Sequence, residues 1–262
     1  MVAPVVNEPV NICWICGAPA STREHRLKKS DIVRAYGRGP YLSDTGPIHF
    51  RGGNSTKIQG PNSQAIQYPK ILCADCNTTR SQPYDFSHEA FLDWLFSNEG
   101  TVLQRRFVNF YEIYGEGWQT SQLNLYKYFA KSFGCRLIEA SHEVPEDVVS
   151  LFPKTNFQTA LRMTFSVNED VLLLPQRIRN GFIGKAALIP MARRDAPTEV
   201  VGFTWKEYTS WFTVHYWYNE WPDGNLGSTW VADTQHVYLG SLAPLPSEMR
   251  ADLSQKAALL DE

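Results

Sequence analysis

Four of the five cysteines occur as two Cys-x-x-Cys pairs, Cys13/Cys16 and Cys73/Cys76. In a reducing compartment, such pairs indicate metal binding rather than disulfide bonds. Each pair presents two thiolates to one point, and two pairs complete the four-coordinate tetrahedral shell that Zn²⁺ prefers. We therefore predict one structural zinc site, with two separate redox pairs or unrelated buried thiols as the alternative. Cys135 has no partner in this pattern and is predicted to be a small core residue.

Between the cysteine pairs lies a basic segment that contains Glu24-His25, and Asn77 directly follows the last cysteine. A hydrolytic nuclease needs a base that takes a proton from water, and an imidazole titrates in the right range. It also needs a hard cation, and carboxylate and amide oxygens suit Mg²⁺ or Mn²⁺. A shared zinc ion would bring Asn77 close to Glu24 and His25. Because adjacent side chains of an extended strand point to opposite faces, a local bend must direct both residues to one phosphate.

One ordered set of motifs carries a family resemblance: Cys13-x-x-Cys16, then Glu24-His25, then Leu72-Cys73-x-x-Cys76-Asn77-x-x-Arg80. It resembles the HNH endonucleases of the His-Me finger (ββα-metal) superfamily, most closely the branch in which four cysteines bind zinc. The resemblance covers about residues 10–90, roughly a third of the chain. It implies a ββα fold and phosphodiester hydrolysis that leaves a 5′-phosphate and a 3′-hydroxyl.

The same resemblance implies a role for each matching residue. His25 would be the general base that activates water, and Glu24 and Asn77 would bind the catalytic Mg²⁺ or Mn²⁺. Arg80 would reach a phosphate oxygen, since a guanidinium makes forked bonds to phosphate. The structural zinc would be held by the four paired cysteines: Cys13, Cys16, Cys73 and Cys76.

Two features depart from the family pattern. Many relatives have a hydrophobic residue and a proline after the histidine, whereas Arg26-Leu27-Lys28 follows here. Many also carry a second His or Asn further along the helix, where Pro83 interrupts this sequence. Asp85 and His88 lie beyond that proline, and whether either contacts metal is left open.

The charge of the chain is distributed unevenly. The 262 residues have a net charge of -2, but residues 1–82 hold ten Lys and Arg against five Asp and Glu. A basic front segment suits an anionic partner, and we predict nucleic acid, with DNA preferred; a chance fluctuation is the alternative. No apolar run approaches the ~18 residues that cross a bilayer. Met1–Val10 does not read as a signal peptide, so we expect a cytoplasmic protein.

We predict an α+β protein: an N-terminal zinc-bound ββα (HNH) module at 1–90 and an α+β recognition or assembly domain with an antiparallel sheet at 91–262. A loop at 37–63 can carry short hairpin strands. Predicted helices include one capped by Ser87 and others at Leu123–Phe133 and Pro145–Phe152. Predicted strands and turns then follow in the C-terminal region: Val171–Leu174, Ala186–Pro190, Val200–Trp205, Trp211–Tyr218, a turn at Asp223-Gly224, Thr229–Val231 and His236–Leu239.

An aromatic run in the C-terminal region has two interpretations. Its residues could pack in the core of a sheet, which is the commoner use, or offer a platform on which bases stack. The region could also recognise a modified base, bind a partner or form a homodimer. The run consists of Trp205, Trp211, Phe212, Tyr216, Trp217, Tyr218 and Trp221.

The functional prediction is a metal-dependent endonuclease that serves restriction, phage defence or a mobile element. Two alternatives stay open: a non-catalytic zinc module that binds nucleic acid or protein, and an RNA-cleaving nuclease with the same motif.

Overall fold

The computed structural model describes residues 11–41, 47–51, 54–154, 158–219, 229–242 and 244–259, and it is a mixed α+β structure. The helices within these ranges are α1 (Lys29–Tyr36), α2 (Ala74–Asn77), α3 (Gln82–Ser97), α4 (Glu99–Arg105), α5 (Phe110–Tyr114), α6 (Trp118–Glu139), α7 (Glu146–Val149), α8 (Glu169–Leu172), α9 (Gln176–Asn180) and α10 (Ser247–Leu259). The strands are β1 (Thr22–His25), β2 (Ile48–Arg51), β3 (Asn54–Lys57), β4 (Gln67–Leu72), β5 (Phe107–Asn109), β6 (Leu161–Val167), β7 (Ile183–Lys185), β8 (Ile189–Ala192), β9 (Val200–Thr209), β10 (Phe212–Asn219) and β11 (His236–Ser241).

The C-terminal region is built on a seven-stranded sheet of order β5-β11-β6-β10-β9-β7, with β8 also paired to β9. Its pairs are antiparallel except for the parallel pair β11–β6. Phe212, Val214, Tyr216 and Tyr218 alternate along β10 and are buried, as the period of two in a strand requires. The α+β class with an antiparallel sheet is therefore confirmed.

Helix α6 is the central element of the molecule. It runs for 22 residues without a proline, and its sequence favours an uninterrupted helix. Phe129 and Phe133 on this helix pack against Tyr216 of β10 at ring distances of 6.1 Å. Helix α3 packs beside it and places Phe91 against Phe165 of β6 at 5.7 Å. The main core thus lies between these two helices and one face of the sheet.

The N-terminal region contains a small two-stranded antiparallel sheet, β1 with β4, that leads into α2. Helix α1 and the β2–β3 hairpin are inserted between the two strands, and the hairpin lies in the 37–63 loop as predicted. Pro83 lies in the first turn of α3, where a residue without an N–H is well tolerated. It therefore starts α3 rather than interrupting a helix.

Several predicted elements differ from the structure. Ser87 lies inside α3, because that helix begins five residues earlier at Gln82. Val171–Leu174 is not a strand: Asn168 accepts a hydrogen bond from the Val171 amide at 3.3 Å and caps α8. Thr229–Val231 forms a single bridge, from Trp230 to Met163.

The observed helices and strands do not test the predicted turn at 223–224 or the predicted division of the chain at residue 90. Asp223-Gly224 lies outside the described residues. The boundary at residue 90 falls within α3, and the division into 1–90 and 91–262 stays a prediction.

Candidate functional site

The four paired cysteines come together as predicted. The Sγ atoms of Cys13, Cys16, Cys73 and Cys76 all lie within 4.8 Å of one another, and those of Cys16 and Cys73 are 3.6 Å apart. A tetrahedral site with Zn–S bonds of about 2.3 Å separates its sulfurs by roughly 3.8 Å. The cluster therefore fits a structural zinc ion, and the five cysteines form no disulfide.

Local hydrogen bonds shape each pair of cysteines for this task. In the first pair, Gly17 has a φ of +75° and donates its amide to the Cys13 carbonyl at 2.8 Å. That left-handed conformation explains the glycine after the second cysteine. In the second pair, Cys73 caps α2 by accepting from the Cys76 amide at 3.4 Å, and this bond lowers the pKa of the Cys73 thiol. A lower pKa favours the thiolate that binds metal.

Asn77 connects the cysteine cluster to β1. Its Nδ2 atom donates to the backbone carbonyl of Arg23 at 3.2 Å, directly beside Glu24. Its Oδ1 atom is buried and has no hydrogen-bond partner in the described part of the chain. A buried amide oxygen without a partner is unfavourable, so a cation or a water is the natural ligand for it.

His25 is half-buried at the end of β1, opposite Gln67 of β4. Burial lowers the pKa of its imidazole, and the nearby Glu24 carboxylate and a hydrogen bond with the Pro61 backbone oppose that shift in part. The Gln67 Nε2 atom lies 3.5 Å from His25 Nε2. The ring is therefore oriented by the protein and held in its neutral form near pH 7, as a general base must be.

The β1–β4 pairing is irregular around Glu24, where the sequence predicts a local bend. The register shifts between Thr22 and Arg23 and again between Arg23 and His25. Such irregularities redirect side chains and are frequent beside active sites. The Glu24 side chain is directed to α6, where its Oε2 atom forms an ion pair with Lys131 Nζ at 2.9 Å.

Arg80 lies against the cysteine cluster. Its Nη1 atom is 3.6 Å from Cys76 Sγ, and its Nε atom is 3.9 Å from an Asp75 carboxylate oxygen. The Cys76 sulfur raises the pKa of the Arg80 guanidinium, whereas burial raises the pKa of the Cys76 thiol itself. The phosphate contact expected of Arg80 stays a prediction.

The two further candidates, Asp85 and His88, are engaged elsewhere. The Asp85 carboxylate accepts from Lys28 Nζ at 3.1 Å. His88 is buried in the core, stacks on Tyr128 at 3.8 Å, and has a pKa that burial lowers well below its usual range. Among the described residues, the four cysteines are the only group of three or more His, Cys, Asp or Glu side chains that could hold a metal ion.

The basic segment divides into structural and exposed cations. Arg26 bonds to Glu139 of α6 and donates to the Ala65 carbonyl at 3.0 Å, so it joins the N-terminal region to the long helix. Arg23 and Lys29 are exposed. These two residues are the ones that a phosphate backbone could reach.

The aromatic run is mainly core. Trp205, Trp211, Phe212, Tyr216 and Tyr218 are all buried, whereas Trp217 lies on the opposite face of the sheet and is in ring contact with His215 at 3.9 Å. Trp221 lies outside the described residues. The packing interpretation is therefore correct for these five buried residues.

Sequence reasoning missed Lys131, which contacts Glu24. The sequence leaves open whether an Asn or a carbonyl within residues 54–70 orients His25, and the Pro61 backbone makes that contact. A weak signal for Lys131 exists in the sequence, since Lys127 and Lys131 lie four residues apart among the apolar residues of the predicted helix Leu123–Phe133. The structure buries both lysines. No comparable signal marks Pro61, because any residue has a backbone carbonyl.

Comparisons of the chain with protein-family models, with curated proteins and with solved structures found no significant match. In the part of the chain that the structure describes, every helix is too short or too polar to cross a membrane.

Proposed function

We propose that this chain is a metal-dependent endonuclease of the HNH type that hydrolyses DNA. The observation that carries the proposal is the hydrogen bond from Asn77 to the Arg23 carbonyl, because it attaches the cysteine-held helix α2 to β1, the strand that contains Glu24 and His25. A strand pair, β1 and β4, that runs into a short helix is the arrangement that the resemblance predicts.

The donor set suits a catalytic divalent cation. Glu24 offers a carboxylate, and Asn77 offers a buried oxygen that has no partner among the described residues. Two protein oxygens are enough for Mg²⁺, which keeps several of its waters in such sites. When bound there, a Mg²⁺- or Mn²⁺-class ion supplies charge neutralisation for the phosphate and for the departing oxygen.

The residues of the chain then have defined tasks. His25 takes a proton from water, whose oxygen bonds to phosphorus while the bond to the 3′-oxygen breaks. The 3′-oxygen leaves with that electron pair and takes a proton from solvent water, which gives the 3′-hydroxyl. The contacts to the Pro61 backbone and Gln67 keep the imidazole in place during this step.

Exposed charge on the small sheet supports an anionic substrate. Arg23 of β1 lies directly opposite Lys70 of β4, and both side chains are exposed. Like charges at paired positions are unfavourable in an isolated protein. A phosphate backbone would remove that repulsion, because it places negative charge between the two cations.

Nicking of supercoiled plasmid DNA in Mg²⁺ or Mn²⁺ tests the proposal. His25→Ala should slow cleavage at least 100-fold, since a positioned general base contributes about 10² to 10⁴ in rate. His236→Ala, at an exposed histidine of β11, is the matched control and should cleave like the wild type.

Two results would change the conclusion. A His25→Ala protein that cuts as fast as the wild type would leave a non-catalytic zinc module that binds nucleic acid or protein. Cleavage of RNA but not of DNA, with the same dependence on His25, would make the chain an RNA nuclease.

A further inference from the structure

We infer that Lys131 of α6 is a positioning residue for Glu24, so that the C-terminal region completes the catalytic metal site; this inference rests on the proposed function. The resemblance to HNH nucleases spans only about residues 10–90 and implies no such residue. The inference comes from contacts on the interior side of Glu24.

The ion pair between Lys131 and Glu24 approaches the site from inside the protein. The Nζ atom lies 2.9 Å from Glu24 Oε2, and the side chains are 5% and 22% exposed, respectively. Ser81, between α2 and α3, places its hydroxyl oxygen 3.3 Å from the same nitrogen. Lys131 therefore contacts both the carboxylate and the turn that follows Asn77.

A buried ammonium needs a specific reason, because removal of a charge from water is costly unless a partner compensates it. If residue 131 served only to pack α6 against its neighbours, an apolar side chain would be sufficient. Glu24 is the acidic partner that accounts for a lysine here.

The ion pair leaves one carboxylate oxygen for a metal. Lys131 Nζ lies closest to Oε2, and Lys131 is the only cation that forms an ion pair with Glu24 among the described residues. The orientation of a ligating carboxylate by a hydrogen-bond donor behind it typically changes metal affinity or activity 10- to 100-fold. We expect Lys131 to act on Glu24 in this way.

The helix offers a matched control one turn away. Lys127 is buried to a similar extent, but its Nζ atom contacts the backbone carbonyls of Lys154 at 2.7 Å and Phe152 at 3.4 Å. Lys127→Met and Lys131→Met therefore remove the same charge from the same helix, and only the second change removes a contact with Glu24.

The test measures the Kd for Mn²⁺ of the zinc-loaded full chain. The electron paramagnetic resonance signal of free Mn²⁺ monitors binding. Lys131→Met should raise the Kd for Mn²⁺ 10- to 100-fold, whereas Lys127→Met should bind like the wild type. Lys131→Arg should restore most of the affinity, because an arginine can still donate to Glu24 Oε2. Glu24→Gln should weaken binding by itself, and the addition of Lys131→Met to Glu24→Gln should have little further effect.

Three outcomes would overturn the inference. Lys131→Met could bind Mn²⁺ as tightly as the wild type or more tightly, Lys127→Met could weaken binding equally, or Lys131→Met could weaken binding equally in the Glu24→Gln background. If the wild type still cleaves DNA with Mn²⁺, any of these results refutes the role of Lys131 and leaves the proposed function intact. A wild type that neither binds Mn²⁺ through Glu24 nor cleaves refutes both.

Discussion

The indole of Trp14 lies directly on Gly134 of α6: a Cβ atom added at position 134 would be 2.5 Å from Trp14 Cη2. Trp14 is the residue after Cys13, and its ring also meets Phe152 edge-on at 5.3 Å. The first cysteine pair is therefore packed against the long helix of the C-terminal region. Only a glycine allows this approach, since a methyl group would overlap the ring.

Gly134→Ala should destabilise the protein by about 1–3 kcal/mol, the usual cost of excess volume in a packed core. Urea unfolding measures the change. Gly100→Ala in α4 is the control, because a Cβ at that position meets nothing within 4 Å. The control should be neutral or slightly stabilising, as alanine favours helix more than glycine does. A Gly134→Ala protein as stable as the control would show that Trp14 does not pack in this way.

Removal of one ligand should remove the zinc. Cys16 is exposed, so Cys16→Ser disturbs little packing, and any loss of stability reports on the metal. We expect about one zinc per chain in the wild type and much less in Cys16→Ser after dialysis, measured by plasma mass spectrometry.

Cys135→Ala supplies the comparison for this experiment. Cys135 is buried beside the cluster but is not part of the four-sulfur group, so its loss should leave the zinc in place. Equal zinc in the wild type and Cys16→Ser would contradict a four-cysteine site.

Asp31 should make the free energy of unfolding decrease as the pH rises, which is opposite to the effect of a carboxylate whose pKa is lowered by folding. Burial raises the pKa of its carboxyl from the ordinary 3.8 to about 6, although Arg34 donates to it at 2.8 Å. Because the folded protein binds this proton more tightly than the unfolded chain does, the contribution of Asp31 to stability decreases as the pH rises from about 4 to 6. The size of the change is about 3 kcal/mol at most, at 1.36 kcal/mol for each pH unit.

Asp31→Asn should therefore be less sensitive to pH than the wild type between pH 4 and 6, as measured by urea unfolding across that range. Asp93→Asn is the matched comparison, because Asp93 is the other carboxylate that accepts from Arg34 and is well exposed. An Asp31→Asn protein whose stability follows the wild-type pH curve would show that Asp31 does not carry this proton.

The cysteine pairs and the strand β10 show how much local pattern can predict. Metal-ligand spacing and the period of two in a strand are properties of a few neighbouring residues, so they are readable without the fold. The start of α3 at Gln82 and the helix α8 are harder to predict from local sequence. A proline such as Pro83 can either begin a helix or interrupt one, and an asparagine such as Asn168 can either cap a helix or lie in a turn.

The amino-acid sequence by itself determined that four thiols could share an ion and that a carboxylate, an imidazole and an amide accompany the two cysteine pairs. The tertiary structure alone decided which charges pair with one another around these residues. Arg26 is joined to Glu139, 113 residues away, while Lys131 reaches Glu24 from the same helix. The physical reason is that a buried charge needs a partner in space, and chain folding, not sequence spacing, sets which carboxylate lies within 3 Å or so of each cation.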